Sequence, residues 1–212
     1  AHMVLAAFIT TCFVIGGVSA WYLRRGVHVE AGKRMLKHAV AFAAIAVPLQ
    51  IFVGDLHGLN VGKYQPVKRA AMEAHWRSEP PGHGVPLVLF AVPNEREERN
   101  DYEIAIPKLG SLVLTHTLDG EIQPLTAVPR DQRPPVAPVF YAFRVMVGLG
   151  MAMLLLVLAS LWAWKRKTLF TSRWILDGWR VLAPSGVIAL LAGWYVVEIR
   201  RQPYVVYGLR RT

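Results

Sequence analysis

Between Val181 and Val197 the chain carries no Asp, Glu, Lys or Arg, and three other stretches are built in nearly the same way. His2–Leu23 is free of these residues. His38–Val53 is too, with Met35 and Leu36 extending it past Lys37, and Val136–Trp164 holds Arg144 as its only charge. At about 1.5 Å per helical residue each stretch crosses, or nearly crosses, a hydrocarbon core of roughly 30 Å. A water-soluble domain would spread its apolar residues periodically over one face of each element, whereas here they are concentrated in blocks. The spacing predicts an all-α integral membrane protein of four transmembrane helices, with a large extracytoplasmic loop between the second and third. The expected divisions are a helix pair over 2–53, the outer loop over 54–135, a second helix pair over 136–199 and an outer tail over 200–212. Pro48 is expected to kink the short second helix, whose polar end falls at Gln50.

The formal charge of +10 invites a nucleic-acid reading, but its placement argues against one. Arg24, Arg25, Lys33, Arg34 and Lys37 face one acid, Glu30, in the first connection. Lys165, Arg166, Lys167, Arg173 and Arg180 face one acid, Asp177, in the last. By the positive-inside rule both connections lie in the cytoplasm. The 54–135 segment, with nine basic and eleven acidic residues, then lies outside. The charge is a topology signal, and no nucleic-acid partner is expected.

Cys12 is the single cysteine, so no disulfide forms within the chain, and inside an apolar helix it reads as a small packing residue. The first helix has no basic segment before it, so a cleavable signal peptide is not expected. Opening directly on a membrane helix suggests a piece of something longer, and Ala1-His2-Met3 has the look of a cloning remnant.

In the outer segment, Gly54-Asp55-Leu56-His57-Gly58 reads as a helix stop and Pro66–Arg77 as a short helix with Met72 and Trp76 on one side. Ser78–Pro86 is a breaker cluster, Leu87–Val92 a brief extended run, and Glu95–Glu103 a charged, solvated turn. Pro124–Pro138 is a stiff lead-in to the third span. A connector this long is expected to bind something.

Depth places the candidate chemistry. His2 lies about 33 Å of helix from Arg24, Met146 about 29 Å from Lys165, and Glu198 about 27 Å from Arg180. With the basic residues at the inner face, an imidazole, a thioether and a carboxylate share the outer leaflet, with Arg144 at a similar level. Histidine and methionine form an axial pair for low-spin haem. The plainer reading of Met146 is packing. That of Arg144 is snorkelling, or an intramembrane pair with Glu198. Glu73 can accept a proton and Lys68 donate a hydrogen bond, yet Arg69 and Arg77, each four residues from Glu73, are equally ready ion-pair partners.

Four segments resemble one family, subunit I of cytochrome bd-type quinol oxidases. Gln65-Pro66-Val67-Lys68-Arg69-Ala70-Ala71-Met72-Glu73-Ala74-His75-Trp76 resembles the start of its quinol-binding loop, in the short-loop branch that includes the cyanide-insensitive type. Ala142-Phe143-Arg144-Val145-Met146 is similar to the segment holding its low-spin haem methionine. Gly193-Trp194 through Glu198, followed by Arg201-Gln202-Pro203, resembles the helix end bearing a high-spin haem ligand. His2-Met3-Val4, leading to Ser19-Ala20-Trp21-Tyr22, resembles the helix that begins at the histidine ligand, so this start looks natural for the family.

The resemblance implies that His2 and Met146 ligate the iron of a low-spin haem b tuned by Arg144. It implies that Glu198 ligates a high-spin haem b with Trp194 nearby, and that Lys68, Glu73 and Asp55 serve the quinol site. His75 and Trp76 are expected to shape that site rather than move protons. It further implies a haem d where oxygen is reduced, a subunit II, a small accessory subunit, membrane lipid, and residence in the bacterial inner membrane. Arg200 stands where the family usually has glycine, and Tyr204 where it has tryptophan. The family's first helices, with further ligands and proton-path acids, and its last helix are not in this sequence. The chain is therefore expected to be inactive by itself. Two other classes fit the residues: a non-oxidase quinol-linked membrane cytochrome b, and a haem-free transporter or scaffold built on an Arg144–Glu198 pair.

Overall fold

The computed structural model describes residues 1–80 and 82–199, together with the backbone of 204–206 and 210–211. Four of its helical segments are long and apolar enough to cross a membrane: His2–Arg25, Val29–Tyr64, Val136–Lys165 and Arg173–Ile199. Between 17 and 39% of each apolar window is buried, so most of their surface requires lipid or protein cover. The chain divides into two compact units, one of Ala1–Gly54 and Val145–Leu191, the other of Asp55–Arg144 and Ala192–Thr212.

In the first unit, α1 (His2–Arg25) ends at Gly26, whose left-handed backbone lets its amide reach the carbonyls of Tyr22 and Leu23. α2 (Val29–Tyr64) begins three residues later, so the expected basic connection is mostly helix ends, with only Gly26–His28 between them. α5 (Val136–Lys165) supplies the third span. The second basic connection is likewise partly helical: α6 (Arg173–Val181) precedes α7 (Ser185–Ile199) across a turn.

Trp179 of α6 is the largest fully buried side chain here. Its ring lies against the bare Cα of Gly16 on α1 and stacks on Phe13 with centroids 4.8 Å apart. Its Nε1 donates to Ser160 Oγ at 2.9 Å, and that hydroxyl donates on to the Leu156 carbonyl. The indole thus buries its apolar body and still satisfies its donor. Leu36, Val40, Val157 and Leu169 complete the core around it.

α2 also departs from expectation at its far end, running through Gly54–Gly58 to Tyr64. A helix-stopping glycine adopts a left-handed backbone, and among the described glycines only Gly26, Gly82 and Gly84 have positive φ. Within a helix each glycine costs only about 1 kcal/mol, which a long helix absorbs.

In the second unit, α3 (Pro66–Glu73) starts on a proline suited to the first helical turn and stops where Ala74 turns left-handed, φ 50°. It is therefore shorter than the expected Pro66–Arg77, and Trp76 lies beyond it. β1 (Leu87–Asn94) pairs antiparallel with β2 (Arg99–Ile106), Leu87 opposite Ile106 and Asn94 opposite Arg99. Asn94 Oδ1 closes the turn by accepting from the amides of Arg96 and Glu97. The extended run at Leu87–Val92 forms as expected. The charged Glu95–Glu103 stretch is a turn only in its first half, because polar residues on both faces of β2 hide it from hydropathy. α4 (Leu109–Thr115) comes after the hairpin, and two short 3₁₀ turns occupy the proline-rich lead-in. Val67, Ala70, Ala71, Trp76, Val88, Leu125 and Phe140 form the core of this unit. A smaller cluster joins Met72 of α3 with Val61, Val139 and Val196.

β3 (Tyr204–Val206) pairs with β4 (Arg210–Arg211). Pro81 of the breaker cluster, and Arg200 and the Arg201-Gln202-Pro203 motif, lie outside the described residues.

Candidate functional site

α3 presents two buried charged residues, Lys68 and Glu73, 6% and 4% exposed. A buried carboxylate is costly unless paired and hydrogen-bonded. Glu73 is met from α5: Arg144 Nη2 donates to Glu73 Oε2 at 2.6 Å, while Arg144 Nε donates to the Val88 carbonyl of β1 at 2.6 Å. The guanidinium also lies over the rings of Phe140 and Phe143, 4.7 and 5.5 Å from their centroids. Among the described residues neither helical partner open to Glu73 by spacing is hydrogen-bonded to it: Arg69 Nη1 donates to the Leu114 carbonyl, and Arg77 is exposed. Burial lowers the Arg69 guanidinium from its ordinary value, and the charge of Glu73 opposes that shift.

Past α3 the chain turns through Ala74, His75 and Trp76, all buried. Asn100 of β2 braces this turn. Its Oδ1 accepts from Trp76 Nε1 at 2.8 Å, and its Nδ2 donates to the Ala74 carbonyl at 3.1 Å. The backbone of Trp76 and His75 is tied in turn to Thr126 and Leu125. Burial pushes the His75 imidazole below the ordinary histidine value, with a hydrogen bond to the Ile122 backbone opposing. Between this turn and the hairpin lies a cavity of about 250 Å³ lined by Glu73, His75, Trp76, Glu98, Asn100 and Glu103 among others. That is smaller than the roughly 300–1,000 Å³ of drug-sized ligand pockets, so it suits one ring rather than a whole extended ligand.

The other residues singled out by sequence are spread over both units. Lys68 is buried on the same helix as Glu73 but does not line the cavity. Asp55, on α2, receives His116 Nε2 at 3.2 Å. Glu198 and Trp194 are exposed along the last turns of α7. His2 and Met146, both half-buried, belong to the first unit. His2 Nε2 lies 3.3 Å from Gln50 Nε2, and its ring passes the bare Cα of Gly54, where an added Cβ would come within 3.1 Å of Cε1.

Among the described residues no three His, Cys, Asp or Glu side chains converge on a point where a metal could sit. An imidazole and a thioether fit an iron that brings four porphyrin nitrogens of its own, and Gly54 leaves the imidazole room. The donor chemistry therefore fits a low-spin haem. Sequence reading singled out Glu73 and Arg144 separately. It missed their contact, and it missed the roles of Val88 and Asn100, which depend on a hairpin of which hydropathy shows only the first strand.

Taken together, the fold and site define a multi-pass membrane protein whose segment between the second and third long apolar helices is braced and partly buried and holds an ion pair with the third. Residues 1–212 match the family model for cytochrome bd terminal oxidase subunit I, and the chain belongs to that family. It is 28% identical over 276 residues to cytochrome bd-II ubiquinol oxidase subunit 1 of Escherichia coli (strain K12), covering all of this chain and 53% of that one. It is 32% identical over 223 residues to cytochrome bd ubiquinol oxidase subunit 1 of Bacillus subtilis (strain 168), covering all of this chain and 47% of the relative. The bd oxidase structure from Geobacillus thermodenitrificans superposes with a TM-score of 0.80 at 29% identity, over all of this chain and 48% of that one. The chain thus spans about half the length of these relatives.

Proposed function

We propose that this chain is the part of a bd-type terminal oxidase subunit I that oxidises membrane quinol at the outer face and delivers its electrons to a low-spin haem b. In this reading the 54–135 segment is the quinol-binding loop. Its Glu73 and Lys68 meet the quinol oxygens, with Asp55 assisting near the membrane surface. His2 and Met146 hold the low-spin haem b, with Arg144 beside it. Glu198, with Trp194 on the same helix, holds a high-spin haem b that works with haem d to reduce oxygen to water. Subunit II and a small accessory subunit complete the complex in the bacterial inner membrane.

The observation that carries this reading is the 2.6 Å contact between Glu73 and Arg144. It joins the segment resembling the quinol loop to a residue two positions from Met146 in the sequence. Haem, when bound, supplies the one-electron acceptor for this chemistry. The chain's own residues do the rest. Arg144 fixes the Glu73 carboxylate in place at the cavity wall and is itself held by the Val88 carbonyl of β1. Buried Lys68 brings a cation to the same helix.

The test is spectroscopic, on the assembled complex in membranes. Met146→Leu is expected to abolish the low-spin signal in the reduced-minus-oxidised spectrum while the chain stays inserted, and an unchanged spectrum overturns the ligand assignment. Haem b without a chlorin-type band points instead to a non-oxidase membrane cytochrome.

A further inference from the structure

Val14, Val18, Trp21 and Arg25 follow one another along α1 at intervals of four, three and four, so they share one face of that helix. Beside this face lies an open groove of about 310 Å³. It is lined by Val14, Gly17, Val18 and Trp21 of α1, by Arg180 of α6 and by Ala183 of the turn after it, all within the first unit. The groove forms because the two elements meet at bare backbone: Trp179 lies on Gly16, and Gly17 packs against Ala183. That close approach leaves the larger Val14, Val18 and Trp21 standing as a wall, 42, 40 and 42% exposed.

Length and charge decide what fits. Val14 to Arg25 is eleven residues, about 16 Å of helix, which is half of a hydrocarbon core of roughly 30 Å. One end therefore lies near the bilayer midplane and the other at the inner surface, where the positive-inside rule puts Arg24 and Arg25. Toward the midplane the groove is closed, because Gly186 of α7 packs directly on Thr10, four residues before Val14 on the same face. A second spanning helix could not continue along it, whereas an acyl chain ends there. The surface end brings three guanidinium groups to one carboxylate. Arg24 Nε and Arg180 Nη1 both donate to Asp177 Oδ1, at 3.1 and 2.9 Å, and Arg25 lies over the Trp21 ring, 5.9 Å from its centroid. Three cations less one anion leave two positive charges, and the half-exposed Arg180 guanidinium has further N–H donors to offer.

We propose that this groove binds one anionic phospholipid of the inner leaflet, its phosphate held by Arg25 and Arg180 and one acyl chain lying along Val14, Gly17 and Val18. Tryptophan and arginine at the head and aliphatic side chains below follow the polarity of a single leaflet. The bound lipid bridges α1 and α6 at the seam that Trp179 closes. The site is separate from the quinol and haem chemistry and does not rest on it.

The experiment uses the assembled complex in mild detergent, with phosphatidylglycerol and phosphatidylcholine added in turn, and native mass spectrometry counts the lipids retained. Arg25→Gln with Arg180→Gln is expected to weaken one phosphatidylglycerol site about tenfold while phosphatidylcholine binds both proteins alike. Val18→Phe fills the groove without changing charge and should lose the same phosphatidylglycerol. A photoreactive side chain introduced at residue 18 should cross-link to phospholipid. Equal phosphatidylglycerol retention by the parent and these variants overturns the proposal. Equal loss of both lipids in the arginine variant overturns it too, since the slot would then be apolar only. A cross-link from residue 18 to protein overturns it as well, because another polypeptide would fill the groove. If the double variant fails to assemble through loss of the Asp177 pair, Arg25→Gln and Val18→Phe decide, and unchanged retention in both overturns the proposal equally.

Discussion

Glu73 Oε2 accepts a 2.6 Å hydrogen bond from Arg144 Nη2 across seventy-one positions of sequence, and both side chains are largely buried. The same guanidinium holds the Val88 carbonyl, so one cation ties α3, β1 and α5 together within the second unit. Breaking one side leaves a buried charge unmatched. Arg144→Leu is expected to cost about 3–5 kcal/mol in detergent unfolding measurements, and Arg144→Leu with Glu73→Leu clearly less. Additive losses in the double variant would show that the pair is not coupled.

The packing of Trp179 on Gly16 predicts a steric failure in the first unit. Any Cβ at Gly16 meets the indole ring, so Gly16→Leu should prevent α1 and α6 from docking. Trp179→Ala leaves a cavity and removes the donor to Ser160 Oγ, whose own bond to the Leu156 carbonyl remains, and a loss of about 3–5 kcal/mol is expected. Thermal unfolding of the purified protein in detergent checks both, and a Gly16→Leu variant as stable as the parent would contradict the packing described.

Asn100 is the hinge pin between hairpin and α3. Asn100→Ala strands the Trp76 indole N–H and the Ala74 carbonyl together, and about 1–3 kcal/mol is the expected loss. Amide hydrogen exchange should rise at His75 and Trp76, and at Leu125 and Thr126 bonded to them, while α1 and α6 stay protected. Uniform exchange over both units would argue against a local brace.

Glu98 supplies a pH dependence. Hydrogen bonds from Arg133 and then Arg130 hold its carboxyl below the ordinary value of 4.5. A depressed folded-state value means the stabilisation is fully present above about 4.5 and is lost as pH falls through the lower folded value. Exchange at the Glu95–Glu98 turn should therefore increase only in strongly acid solution. Glu98→Gln should raise it at neutral pH and remove that dependence.

The membrane architecture was legible because hydrocarbon imposes its rule locally. Twenty or so uncharged residues must be helical wherever they cross, so His2–Leu23, Val136–Trp164 and Val181–Val197 announced themselves, and α1, α5 and α7 correspond to them. Helix ends were less legible. Gly54 and Gly58 look like a stop, but whether a glycine turns left-handed depends on the tertiary surroundings of the next turn, and α2 continues through both. The β1–β2 hairpin was half-visible, since Arg99–Ile106 opens on polar residues and alternates only from Tyr102 through Ile104 to Ile106, too short a run to read as a strand.

At the candidate site, residue types pointed to Glu73, Lys68 and Arg144, while their partners could not be deduced from type. Spacing offered Glu73 the nearby Arg69 and Arg77, because helical neighbours at four residues are the only ones a sequence can count. The chain by itself determined four apolar helical segments and the chemistry carried on α3 and α5, both properties of local composition. Only the tertiary structure decided that Glu73 meets Arg144 and that Asn100 braces the turn after α3. Those are contacts between residues far apart in the chain, and burial, which sets their cost and their chemistry, exists only once the elements have packed.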